Sequence, residues 1–515
     1  MNASPNSLHA RDVAYLLHPN TNARRHEKTG PIVIERGDGI YVYDDQGKEY
    51  IEAMAGLWSV GVGFGEQRLV DAAARQMSKL PYYHQFSSKS TTPSIELAER
   101  LVKMAPEGLA RVFFTNSGSE ANDSVIKLVW FYNNAIGRPS KKKFIARTGG
   151  YHGITIAAGS LTGLPSNHRG FDLPLPFVRH VTTPHHYRFA EPGESETAAF
   201  ADRLAAELES VILAEGPDTV AAFIGEPVIG AGAVIPPPAT YWEKVQAVCR
   251  KYDVLVVADE VINGFGRCGT LFACERYGIE PDLLVLSKQL TSSYMPLAAV
   301  LMTDAIYQGV ADGSDKLGTF GHGYTASGHP VATAVALENL DIFEERGLVA
   351  QGARVGDHLQ RRLREFADHP MVGEVRGVGL IAAVELVADK ATRAKFDPPG
   401  KVGLHLYNKG HENGLVVRAI QDSICFCPPH DHHRAADRRG HRPLRRQPRR
   451  HRRLGRGRHA RLSVRPNTRR TPTCPNSASP STSAAPSPTS ASSIRNREKS
   501  GSRRPPPPPT RSTAS

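Results

Sequence analysis

The stretch Val254–Ser293 decides the fold: VLVVADEVINGFG (254–266) is followed after a short interval by PDLLVLSKQLTSS (281–293). Each half contains a short continuous apolar run, Val254–Val257 and Leu283–Leu286. Runs of this length and composition read as strands of a parallel sheet buried on both faces, although length alone leaves a helix open. One charged residue follows each run, Asp259 after the first and Lys288 after the second. In open α/β sheets the carboxyl edge of the strands is where ligands bind.

Two readings of Asp259 and Lys288 compete. They form a plain buried ion pair, or Lys288 is the Schiff-base lysine of a pyridoxal phosphate (PLP) site and Asp259 keeps the pyridine nitrogen protonated. The blocks D-E-V-x-x-G-F-G-R-x-G, P-D-L and S-K-x-L-T-S-S, which start at Asp259, Pro281 and Ser287, resemble the signature of class III aminotransferases. The resemblance runs from about Pro31 to Pro429. It implies an α/β chain of PLP fold type I, with a mostly parallel, doubly wound sheet in a large domain and a smaller α+β domain.

Composition bounds the rest. The chain has 515 residues, enough for more than one domain. Its six cysteines show no repeated CxxC spacing, which fits reduced thiols in a cytoplasmic enzyme and no structural metal. No secretory signal pattern opens the chain and no run is long enough for a membrane helix. Of 64 basic and 51 acidic residues, 430–515 holds 22 and 3, leaving the body with 42 and 48. The body is therefore mildly acidic, and the basic excess belongs to the tail.

Outward from the central stretch, IVIERGDGIYVYDDQGKEYIEAM reads as an antiparallel meander with Gly-Asp turns, and Gln67–Leu80 as a helix. FFTNSGSEANDSVIKLVWFY (113–132) reads as a strand, a Gly-Ser turn and a helix with Val125, Leu128, Val129 and Tyr132 on one face. Such a turn presents free N–H groups to a phosphate, or is merely a helix cap. Tyr151, between Gly150 and His152, can stack on an aromatic ring or serve as an ordinary loop tyrosine. Glu226 ends another apolar strand, and Tyr241–Tyr252 reads as the helix leading back to Asp259.

What the resemblance implies goes further. Gly118, Ser119 and Thr325 would hold the cofactor phosphate, with Thr325 supplied by the second subunit of a homodimer. Tyr151 and Val261 would cover the two ring faces, and Glu226 would complete the cofactor site. Trp58, Phe86, Ala231, Ile262, Tyr324 and Arg418 would shape the substrate pocket. Ala231 stands where glutamate-specialised relatives carry a second Glu, which points to amines or ω-amino acids as donors and pyruvate or a similar keto acid as acceptor. A mobile Arg418 would fork onto the keto-acid carboxylate. Lys288 would move the proton between substrate and cofactor carbons in a ping-pong reaction.

The expected domains are 1–66, an N-terminal segment contributing to the small domain; 67–330, the large PLP-binding domain; 331–429, a C-terminal small domain; and 430–515, a disordered tail. The tail is Arg-rich and then Ser/Thr/Pro-rich, with no period and little to bury. A shifted reading frame is the preferred explanation. A natural basic segment that binds nucleic acid and a His-rich metal tract at His430, His432 and His433 are the alternatives.

Overall fold

The computed structural model describes residues 6–192, 194 and 198–430. The N-terminal meander forms as expected from strands β1 (Ile34–Asp38), β2 (Tyr41–Asp44) and β3 (Glu49–Glu52). A seven-stranded sheet follows, built from β4 (Leu109–Thr115), β5 (Lys143–Arg147), β6 (Val178–Val181), β7 (Val220–Gly225), β8 (Leu255–Asp259), β9 (Leu283–Leu286) and β10 (Ala298–Thr303). Its spatial order is β4-β10-β9-β8-β7-β5-β6, and only β10 runs antiparallel to its neighbours.

The continuous apolar runs are explained by two cores, one on each face of this sheet. In β8, Val256 and Ala258 enter one core and Val257 the other; in β9, Leu284 and Leu286 enter the first, Leu283 and Val285 the second. A strand with period-2 side chains must be apolar throughout when both faces are covered. Every residue of β9 is fully buried, each contributing about 1.5–3 kcal/mol.

The chain ends its described part in a second small sheet, β11 (Val372–Val378) and β12 (Ile381–Leu386) with a further pair of strands beside them. Before those, β13 (Leu415–Val416) runs parallel to β3, joining the meander to the C-terminal region. The chain then passes through buried Val417 into β14 (Arg418–Ile420) and β15 (Ser423–Phe426), in the order β11-β12-β15-β14. This passage between two sheets fixes the position of Arg418.

One boundary differs from the sequence expectation. His430, assigned to the tail by its sequence, is fully buried, with its N–H donating to Gly61 O at 2.9 Å and its carbonyl accepting from Gln351 Nε2 at 2.8 Å. Its ring lies 5.5 Å from that of Phe343. These contacts satisfy a backbone that composition alone marks as unstructured. His432, His433 and the frameshift, nucleic-acid and metal readings of the tail lie outside the described residues. Among those residues, no helix is long and apolar enough to cross a membrane.

Candidate active site

Strands β4, β5, β7, β8 and β9 all point their carboxyl ends to one edge of the sheet, where a cavity of 240 Å³ opens. Gly118, Ser119, Tyr151, Glu226, Asp259, Val261, Ile262 and Lys288 all line it.

Asp259 closes β8 and is almost fully buried. Its Oδ2 accepts from His152 Nδ1 at 2.8 Å and Asn122 Nδ2 at 2.9 Å, and its Oδ1 from the Val261 N–H at 3.1 Å. Three hydrogen bonds hold this buried carboxylate in one orientation. Lys288 stands two residues beyond β9, half-buried, with a left-handed φ of 47°. Burial pushes its ammonium below the usual lysine value, opposed by the charges of Asp259 and Glu226. No carboxylate comes within ion-pair distance of it among the described residues. The plain ion pair is thereby excluded: Asp259 is engaged elsewhere, and Lys288 is left as an amine facing the cavity.

The phosphate cradle is built at the start of the Gly118–Ala135 helix. Ser117 caps it, its hydroxyl accepting from Glu120 N at 3.2 Å, so the Gly118 and Ser119 N–H groups lie in the first turn with no intrahelical acceptor. A Cβ on Gly118 would sit 3.3 Å from Val261 Cγ2, and one on Gly153 would sit 2.8 Å from Ser119 Oγ. Gly153 also has φ +135°, so two glycines keep the walls thin enough for a ligand.

Glu226 acts through the backbone. Its Oε1 accepts from Tyr151 N at 3.0 Å and its Oε2 from Gly230 N at 2.9 Å, and burial raises its carboxyl above the usual range. It therefore clamps the Tyr151 loop. Asn122, not singled out in the sequence, lies on the buried face of the Gly118–Ala135 helix with Val125, Ile126 and Val129, and that buried polar position was the available signal. Its Oδ1 is buried with no protein donor among the described residues.

The remaining sequence candidates stand outside the cavity lining. Trp58 is buried in the apolar cluster that includes Ile262, and Ala231 follows Gly230 directly. Arg418 is half-buried, and its charge acts on Tyr151 and Lys288. Phe86 and Thr325 are exposed. They share one surface: a Cβ on Gly323 would lie 3.1 Å from the Phe86 ring, and Tyr82 donates to Thr325 O at 2.8 Å. Tyr324 reaches the start of the Gly118–Ala135 helix, donating to Glu120 O at 3.1 Å.

A cavity-facing amine, an aspartate held by three hydrogen bonds and a helix N-terminus with free N–H groups fit pyridoxal phosphate, and they define a PLP enzyme of fold type I. Comparison with known proteins agrees. The class-III aminotransferase family model matches residues 21–439. A chloroplastic gamma aminobutyrate transaminase of Solanum lycopersicum is 50% identical over 416 residues, 81% of this chain and 80% of its own length. The omega transaminase from Pseudomonas jessenii, solved with pyridoxamine phosphate (PMP), is 62% identical with a TM-score of 0.82, covering 82% of this chain and 93% of that one. A thermostable omega transaminase changed at one tryptophan, one phenylalanine and one arginine for the synthesis of bulky amines is 61% identical with a TM-score of 0.82, covering 82% and 94%. The chain belongs to the class-III aminotransferase family, and its cofactor is pyridoxal phosphate.

Proposed function

We propose that this aminotransferase moves the amino group of an amine or ω-amino acid onto pyruvate or a similar α-keto acid by a ping-pong route. The observation that carries the reading is Lys288, without an ion-pair partner among the described residues and facing the same cavity as a triply hydrogen-bonded Asp259. Bound pyridoxal phosphate supplies an electron sink for the carbon that loses its proton. Lys288 Nζ is the group that would hold the cofactor covalently and, once freed, would take and return that proton. Asp259 carries the negative charge that keeps the ring nitrogen protonated. Gly118 and Ser119 would hold the phosphate, and Tyr151 and Val261 would cover the ring.

Arg418 receives the carboxylate of the amino or keto acid, while Trp58, Phe86, Ala231, Ile262 and Tyr324 set the pocket's volume. Substitution of a tryptophan, a phenylalanine and an arginine in a relative made for bulky amines supports this assignment. The exposed patch of Phe86 and Thr325 supports a homodimer in which each subunit completes the other's site, Thr325 reaching the partner's cofactor phosphate. Residues 1–66 and 331–429 then form the small domain and 67–330 the large one, in line with the β3–β13 pairing. A cytoplasmic location fits the five described cysteines, all buried and free.

Product analysis tests the reading. Incubation with 4-aminobutyrate and pyruvate should yield alanine in one-to-one ratio with the donor's aldehyde. Release of carbon dioxide, or an isomerised amino acid without a keto-acid requirement, would replace it with decarboxylation or amino-group migration.

A further inference from the structure

Away from the cavity, two short N-terminal helices bring together a second set of chemical groups. Ser7 caps the Leu8–Tyr15 helix, accepting from Ala10 N at 3.2 Å, and Asn22 caps the Ala23–Thr29 helix, accepting from Arg25 N at 2.9 Å. Asp12 comes from the first helix, His26 from the second and His18 from the connection. His18 Nε2 lies 2.9 Å from both Asp12 oxygens and His26 Nε2 lies 2.8 Å from Oδ1. The three donor atoms all fall within 4.8 Å of one another, and the imidazole rings are 4.2 Å apart.

We propose that Asp12, His18 and His26 form a site for a divalent transition metal ion of the zinc class, separate from the catalytic cavity. Two imidazoles and one carboxylate are a donor set such ions accept. In a tetrahedral zinc site, donors about 2.0–2.1 Å from the metal stand roughly 3.3 Å apart. The Asp12 contacts need to widen only by a few tenths of an ångström, and the rings need to shift to the tautomer with the proton on Nδ1. The side chains remain 17% (Asp12), 28% (His18) and 12% (His26) exposed, so one flank stays open to a water ligand.

A contrast within the molecule supports the choice. His185, Glu374 and Glu385 also converge, but Arg376 and Arg188 donate to those carboxylates and occupy the place of a cation. Among the described residues, Asp12 has only histidines as ion-pair partners. Helices of eight and seven residues are marginal by themselves, and a metal crosslink between them would fix the N-terminal segment.

The test uses the full-length, PLP-loaded protein, stripped with chelator, dialysed against limiting zinc and assayed for metal. Wild type should retain one equivalent more than Asp12→Asn and His26→Gln, and zinc should raise the melting temperature of wild type only. Zinc held by other histidines is common to all three proteins and cancels. Asp12→Asn keeps the shape and one acceptor, so a hydrogen-bonded latch tolerates it where a metal site does not. Equal metal content in wild type and variants, including none in any, would overturn the proposal. If Asp12→Asn fails to retain its visible cofactor band, the more exposed His18→Gln takes its place in the same comparison.

Discussion

The floor of the catalytic cavity and its rim are built on different principles. The floor is backbone-delivered: Asp259 and Lys288 follow adjacent parallel strands whose register pairs Asp259 with Val285. The residues proposed for its rim, Trp58, Phe86, Ala231, Tyr324, Thr325 and Arg418, come from distant segments, and among the described residues none of them lines the cavity. On the proposed reading, reaction chemistry rests on the double-cored sheet and substrate choice on parts that can change independently.

Changes to the floor should cripple turnover whatever the substrate. Lys288→Ala should lower kcat by at least about 10³-fold, the range expected when a proton-transferring group is lost, while the protein still folds and binds PLP noncovalently. Steady-state kinetics with a cofactor assay checks both parts. Asp259→Asn keeps the shape but removes the charge, and should lower kcat by about 10²–10³-fold with KM little changed.

A rim change should instead discriminate among substrates. Arg418→Leu should raise KM for pyruvate by about 10–100-fold, the weight of a hydrogen-bonded charge pair, and barely affect a donor amine that lacks a carboxylate. A uniform loss across all substrates would erase the distinction between floor and rim.

The smallest effect concerns pH. Burial lowers the Lys288 pKa from 10.5, Asp259 and Glu226 raise it, and Arg418 lowers it. Only the neutral amine captures the cofactor aldehyde, so the rate of PLP uptake by apo protein should rise with pH through a midpoint below 10.5. Asp259→Asn should move that midpoint down and Arg418→Leu should move it up. Stopped-flow absorbance against pH reads both shifts.

The floor was legible in the sequence because its physics is local. A short apolar run reads as a buried strand, and a charged residue within two positions of its end then falls at the ligand edge. Asn122 was not legible, since an asparagine in a helix looks like surface until its face is known to be buried. The use of both Glu226 oxygens by the Tyr151 and Gly230 N–H groups is equally invisible before folding. His430 shows the converse: its neighbours in sequence mark it as tail, yet Gly61, Gln351 and Phe343 enclose it.

Lys288 and Asp259 are proposed to form one working cofactor site. The most direct measurement is the visible spectrum of purified, PLP-loaded protein as 4-aminobutyrate and then pyruvate are added. A yellow band should appear, bleach with the amine, return with pyruvate and be absent from Lys288→Ala. A folded wild-type protein that stays colourless with PLP, or a band indifferent to both substrates, would contradict it.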